Sequence, residues 1–154
     1  MIVSDFEFHH PAGLRISRHL NETELISTLP EAGASKTDMR TGWVWYRLPP
    51  FKEGEVIVGI GLGFNSGVLE SVTLTDAHTK YGAGWNEWSE EKERLRVASI
   101  GSWLASKGYT VGTFSWGSVW FGYDAKGGLG SASVQYAAQP IIPPDLAHKA
   151  AQGG

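Results

Sequence analysis

An α+β fold is predicted by three features of this 154-residue sequence. The middle of the chain holds a run of alternating strands, a glycine-punctuated hairpin lies near the end, and two segments open with helix-capping signals. Together they predict an antiparallel sheet, a three-stranded meander plus a C-terminal hairpin, with two helices packed on one side. Residues 1–137 are expected to form this single domain. Residues 138–154, with three prolines and a Gln-Gly-Gly end, are expected to be a mobile tail.

Gly13-Leu14-Arg15-Ile16-Ser17 alternates and reads as a short strand. Asn21 is the expected N-cap of the first helix, with Glu24 placed to close a capping box and Leu20 and Leu25 at the staple positions. Leu25, Ile26 and Leu29 give that helix an apolar face, and Pro30 stops it. Residues 31–41 are small and polar and read as a loop. Trp43 to Leu48 is aromatic and β-branched, and Pro49-Pro50 is expected to end it. Glu55 to Phe64 puts Val56, Val58, Ile60, Leu62 and Phe64 on one face and Gly59, Gly61 and Gly63 on the other. Asn65-Ser66-Gly67 turns the chain, and Val68 to Thr75 returns.

Asp76 to Trp88 is a polar and aromatic loop. Ser89 then caps a helix expected to run to about Lys107, with Glu90 and Glu91 at the positive end of its dipole and Gly108 as its stop. Val97, Ile100, Trp103 and Leu104 share a face, while Leu95 falls nearly opposite. Tyr109 to Phe114 is extended. Trp116 to Tyr123 and Ser131 to Tyr136 form a hairpin around Asp124-Ala125-Lys126-Gly127-Gly128.

Hydrophobic residues make up 42% and charged residues 19%, which excludes a disordered tail or a coiled coil. Thirteen basic against sixteen acidic residues, a net charge of −3, argue against a general nucleic-acid binder. With no cysteine there are no disulfides and no thiolate metal site. The N-terminus lacks the basic and apolar regions of a secretory signal. The longest apolar stretch, Val56 to Phe64, is too short to cross a bilayer. A cytoplasmic location with no membrane contact is expected.

Chemical motifs weigh against an enzyme. Gly59-Ile60-Gly61-Leu62-Gly63 lacks the third fingerprint glycine, since Phe64 follows, and no helix comes after it to present amides to a phosphate. Its glycines suit close approach of a helix or tryptophan to the sheet. His9-His10 and Asp76-x-His78 are metal-capable, but no third ligand stands at a recognisable spacing. Asp124-x-Lys126 is like the end of a metal-dependent nuclease core, yet the two glycines after it place the pair in a turn. There is no Gly-x-Ser-x-Gly elbow. No catalytic residue, metal or cofactor is expected.

The seven tryptophans divide by setting. Trp103 belongs to the helix's apolar face. Trp43 and Trp45 share one strand face, and Trp116 and Trp120 another. Such rings either cover the glycine strand or stack sugars or bases. Trp85 and Trp88 stand in an acidic segment before a helix, which suits a protein-binding surface. Trp88 also fits as a staple at the helix start.

Several pieces recur together: Trp85-x-x-Trp88-Ser89-Glu90-Glu91, Trp103-Leu104, Phe114-x-Trp116-Gly117-x-Val119, Tyr123-Asp124-x-Lys126-Gly127-Gly128 and Val134-x-Tyr136. Through them, over roughly residues 12–137, the chain resembles a group of small bacterial proteins of the immunity type, which neutralise toxins passed between competing cells. The resemblance implies a cytoplasmic protein that binds a cognate toxin, with no family active site to carry over. The partner surface expected here comprises Asp76, His78, Trp85, Glu87, Glu90 and Glu91, whose acids suit a basic protein. The alternative is a small carbohydrate- or ligand-binding module using exposed tryptophans. A third possibility is a metal-dependent nuclease built on Asp76, Asp124 and Lys126.

Overall fold

Backbone pairing joins the expected meander and hairpin into one continuous sheet. The structure, a computed structural model, describes residues 5–28, 35–82 and 84–137. Among these residues there are two helices, α1 (Glu22–Thr28) and α2 (Glu90–Ser106). The strands are β1 (Phe8–His10), β2 (Leu14–Ile16), β3 (Ser35–Asp38), β4 (Trp43–Glu53), β5 (Val56–Asn65), β6 (Val68–Asp76), β7 (Gly112–Phe114), β8 (Gly117–Asp124) and β9 (Leu129–Tyr136). β1 and β2 form a two-stranded sheet, and the other seven form an antiparallel sheet in the order β3-β4-β5-β6-β9-β8-β7.

The α+β class is as expected, but the sheet is larger than a three-stranded meander with a separate hairpin. Pairing of Ser71 to Leu74 with Gln135 to Ala132 fuses the two. An edge strand is added on each side. β3 comes from a segment that reads as loop, because Ser35, Lys36, Thr37 and Asp38 are polar on both faces and carry no alternation. Nor do the prolines end β4. The register shifts between Leu48 and Phe51, so a bulge absorbs Pro49-Pro50 and pairing resumes at Phe51↔Val58. Trp116 precedes β8 in a turn, so it does not share a strand face with Trp120. Leu29, Pro30 and the tail 138–154 lie outside the described residues.

One face of the sheet is the core. Val58, Ile60, Leu62, Phe64, Val72, Leu74, Ala132, Val134 and Val119 are buried there together with Ile100, Trp103 and Leu104 of α2. Ser89 caps α2, its Oγ accepting from the Lys92 N–H at 3.1 Å. Gly108, at φ +92°, follows its last turn, and the Tyr109 N–H closes on the Leu104 carbonyl. Leu95 is exposed, as its place on the helix predicts. α1 meets the same face: Leu25 is buried, and Glu22 accepts from the Tyr46 hydroxyl at 2.5 Å. Asn21 caps it through the Glu24 N–H at 2.7 Å. No described helix is long and apolar enough to cross a membrane.

The opposite face carries Trp43, Trp45, the three β5 glycines and the hydroxyl residues of β6 and β9. Cross-strand partners share a face, so Trp45↔Gly63↔Ser71↔Gln135 and Arg47↔Gly61↔Thr73↔Ser133 are two rows across it. Gly61 thus lies away from both helices. A Cβ there would meet Thr73 Oγ1 at 2.5 Å and the Trp45 ring only at 4.0 Å. The close approach made possible by glycine is at Gly63, where a Cβ would stand 2.8 Å from two Trp45 ring carbons.

Candidate functional site

The segment joining β6 to α2 is tied to the helix by the Arg96 side chain. The Arg96 guanidinium donates to Glu93 Oε2 at 3.0 Å and to the carbonyls of Asp76 at 2.6 Å, Tyr81 at 2.9 Å and Gly82 at 3.3 Å. It also lies 5.6 Å from the centre of the Tyr81 ring. Glu93 uses its other oxygen to accept from the Gly130 N–H at 3.1 Å. The side chains of Arg96 and Glu93 are 13% and 3% exposed, so the pair is a buried charge-assisted contact between helix, loop and sheet.

Asp76 does not reach the surface and is withdrawn from the expected partner residues. It is 0% exposed, and its carboxylate accepts from Ile57 N–H at 3.2 Å, His78 N–H at 3.0 Å and the Ser99 hydroxyl at 2.5 Å. A buried carboxylate requires such donors, and here they tie the end of β6 to α2. His78 is half-buried. Its Nδ1 accepts from the Lys80 N–H at 3.1 Å and so caps a short 3-10 turn at Thr79–Tyr81.

The remaining expected residues stand together on the outside. Trp85 is 71% exposed and lies in a second 3-10 turn, Trp85–Glu87. Trp88 is 39% exposed, and its indole N–H donates to the Gly128 carbonyl at 2.6 Å, pinning the loop to the β8–β9 turn. The two rings are 6.4 Å apart at 38°. Glu87, Glu90 and Glu91 are exposed, and Glu90 pairs with Arg94 at 3.0 Å across one helical turn. Four of the six expected residues therefore form an acidic-aromatic surface on a fixed support.

The other face of the sheet contributes a feature that strand-by-strand reading missed. An open groove of about 1180 Å³ crosses it, bounded by Trp45 and Arg47 on one side and Trp85 and Trp88 on the other. Gly61, Thr73, Thr75 and Ser131 form its floor. The alternation of β5 and β6 signals such a face, but the hidden step is that β9 docks beside β6 and widens it.

The weaker motifs resolve into turns and packing. The Asp124 carboxylate accepts from the Lys126 N–H at 3.0 Å inside the β8–β9 turn. His10 is buried, its ring engaged by the Pro49 carbonyl and the Ala12 N–H. Among the described residues no group of three or more metal-capable side chains converges. Trp116 is buried against Phe114, with ring centres 5.5 Å apart. Comparison with family models, curated proteins and solved structures found no match to this chain.

Proposed function

We propose that this chain is an immunity-type binding protein that neutralises a cognate, basic protein toxin through the surface formed by Trp85, Glu87, Glu90 and Glu91. The observation that carries the reading is the exposed Trp85 indole on a loop latched by Arg96 and pinned by Trp88. Holding a large apolar side chain in water costs on the order of 1.5–3 kcal/mol relative to burial. A partner recovers that energy, and a rigid loop loses little entropy on binding. Tryptophan is enriched among residues whose truncation costs 2 kcal/mol or more at interfaces, typically about that much each. The acids around it add steering toward a positive partner and a dependence on salt.

The test co-expresses this chain with the product of the adjacent gene, which the proposal expects to be a basic toxin. Co-expression is expected to relieve that protein's toxicity, and the two are expected to co-purify. Trp85→Ala and Glu87→Lys are expected to lose protection with an unchanged thermal melt. Full protection by both variants would contradict the proposed surface.

A further inference from the structure

We propose that the open face of the seven-stranded sheet is covered in cis by a proline-rich stretch of this same chain, Pro140-Ile141-Ile142-Pro143-Pro144-Asp145. The polar groups of the sheet floor are already engaged. Thr73 Oγ1 donates to the Gly61 carbonyl at 3.5 Å and Thr75 Oγ1 to the Gly130 carbonyl at 3.4 Å. The Gln135 amide donates to the Ser71 and Ser133 hydroxyl oxygens at 2.7 and 2.9 Å. What remains for an occupant is apolar. Leu129 is exposed, and the Trp45 indole lies half-buried across Gly63, stacked on Trp43 with ring centres 6.0 Å apart. One charge interrupts this surface. Arg47 is exposed and makes no ion pair among the described residues, whereas Arg96 is paired with Glu93. An occupant therefore needs apolar bulk for Trp45 and a carboxylate for Arg47.

The chain carries both within reach. Pro140-x-x-Pro143-Pro144 is a spacing that favours the polyproline II helix. Such segments seat in aromatic-lined grooves because they lose little backbone freedom on docking. Asp145 follows at once and is the one acid in residues 138–154. The route fits as well. Gln135, near the end of β9, stands in one cross-strand row with Ser71, Gly63 and Trp45. Ala137 is fixed just beyond it, its N–H donating to the Trp116 carbonyl at 2.8 Å and its carbonyl accepting from Arg18 at 3.0 Å. At about 4.8 Å per strand, β4 lies about 14 Å from β9 across β6 and β5, which puts Arg47 about 20 Å from Ala137 on the diagonal. The stretch from Ala138 to Asp145 spans about 25 Å as polyproline II. The prolines thus cross the Trp45 row before Asp145 meets Arg47. Tethering raises the local concentration of the stretch to the order of millimolar, so even a weak contact is substantially occupied.

The inference stands apart from the toxin-binding reading, because Trp45 and Arg47 lie outside the Trp85–Glu91 surface and the test uses this chain alone. The sequence has no cysteine, so Leu146→Cys provides a single site for a nitroxide spin label in the full chain. Broadening of backbone amides by that label is read by NMR, with the reduced label as reference. It is expected to be strongest at Arg47 and Gly61. Asp145→Lys and Arg47→Glu are each expected to weaken it about threefold, the worth of an exposed ion pair. Combining the two reversals restores the pair with its signs exchanged and is expected to restore the broadening. Replacing Pro143 and Pro144 together by Gly is expected to weaken it with an unchanged melt. Broadening no stronger at Arg47 and Gly61 than elsewhere on the surface overturns the inference, as does broadening that survives both charge reversals. Broadening of an isotope-labelled chain by a separate spin-labelled copy assigns the face to a second molecule and overturns the contact in cis. Broadening centred on residues 84–91 overturns the placement on Trp45 and Arg47.

Discussion

Replacing Arg96 by Met removes the charge while keeping part of the stem that crosses the α2–loop junction. The variant leaves the Glu93 carboxylate, 3% exposed, with the Gly130 N–H as its donor at 3.1 Å. It also takes a donor from the carbonyls of Asp76, Tyr81 and Gly82. Removing one partner of a buried ion pair costs about 3–5 kcal/mol, because a buried charge is left uncompensated. Adding Glu93→Gln neutralises that charge, so the double variant is expected to recover part of the loss, with a coupling of about 1–3 kcal/mol. Urea denaturation of the four proteins in this cycle gives the stabilities. Hydrogen exchange gives the local effect, which is expected to be faster exchange in Tyr81, Gly82 and the 84–88 amides. A loss under about 1 kcal/mol in Arg96→Met, or a double variant as unstable as the sum of the singles, would refute the latch.

Three further outcomes follow from the packing. At Gly130→Ala the new Cβ would collide with the Glu93 carbonyl and Val97, so a thermal or urea melt is expected to show a loss of about 1–3 kcal/mol. Burial first, then the nearby Tyr109, Asp5 and Glu7, push the Tyr136 hydroxyl well above its ordinary 10.0, and it donates to the Phe6 carbonyl at 2.6 Å. Its contribution is full below pH 10.0 and falls as the pH rises further, because the unfolded chain ionises first. Tyr136→Phe is expected to flatten that alkaline fall in urea midpoints and to cost about 1 kcal/mol at neutral pH. Tyr46, raised by burial and its bond to Glu22, keeps part of the slope. Incubation with plasmid DNA or RNA and magnesium or manganese is expected to leave both intact, since Asp124 serves its own turn and Asp76 is enclosed. Cleavage that disappears in Asp124→Ala would contradict that assignment.

The capped helices and the central strands were legible because their signals are local. Asn21 and Ser89 both cap where spacing places them, and the alternation of β5 separates core from glycine face over its whole length. β3 was not legible, since four polar residues become a strand only through the edge that β4 offers. The same holds for β4 beyond Leu48, where a bulge carries the prolines. At the candidate site, exposure of Trp85 follows from its polar surroundings, whereas burial of Asp76 depends on Ser99, twenty-three residues later on α2. The groove is less legible still, because its floor combines β5 and β6 with β9, a strand more than fifty residues further along the chain.

The most direct test of the partner surface is hydrogen exchange of this chain, alone and in complex with the toxin that the proposal expects the adjacent gene to encode, at low and high salt. Slowed exchange is expected over residues 84–91 in the complex, with affinity falling as salt rises. Protection confined to the edge strands β3 or β7, with residues 84–91 unchanged, would contradict the account.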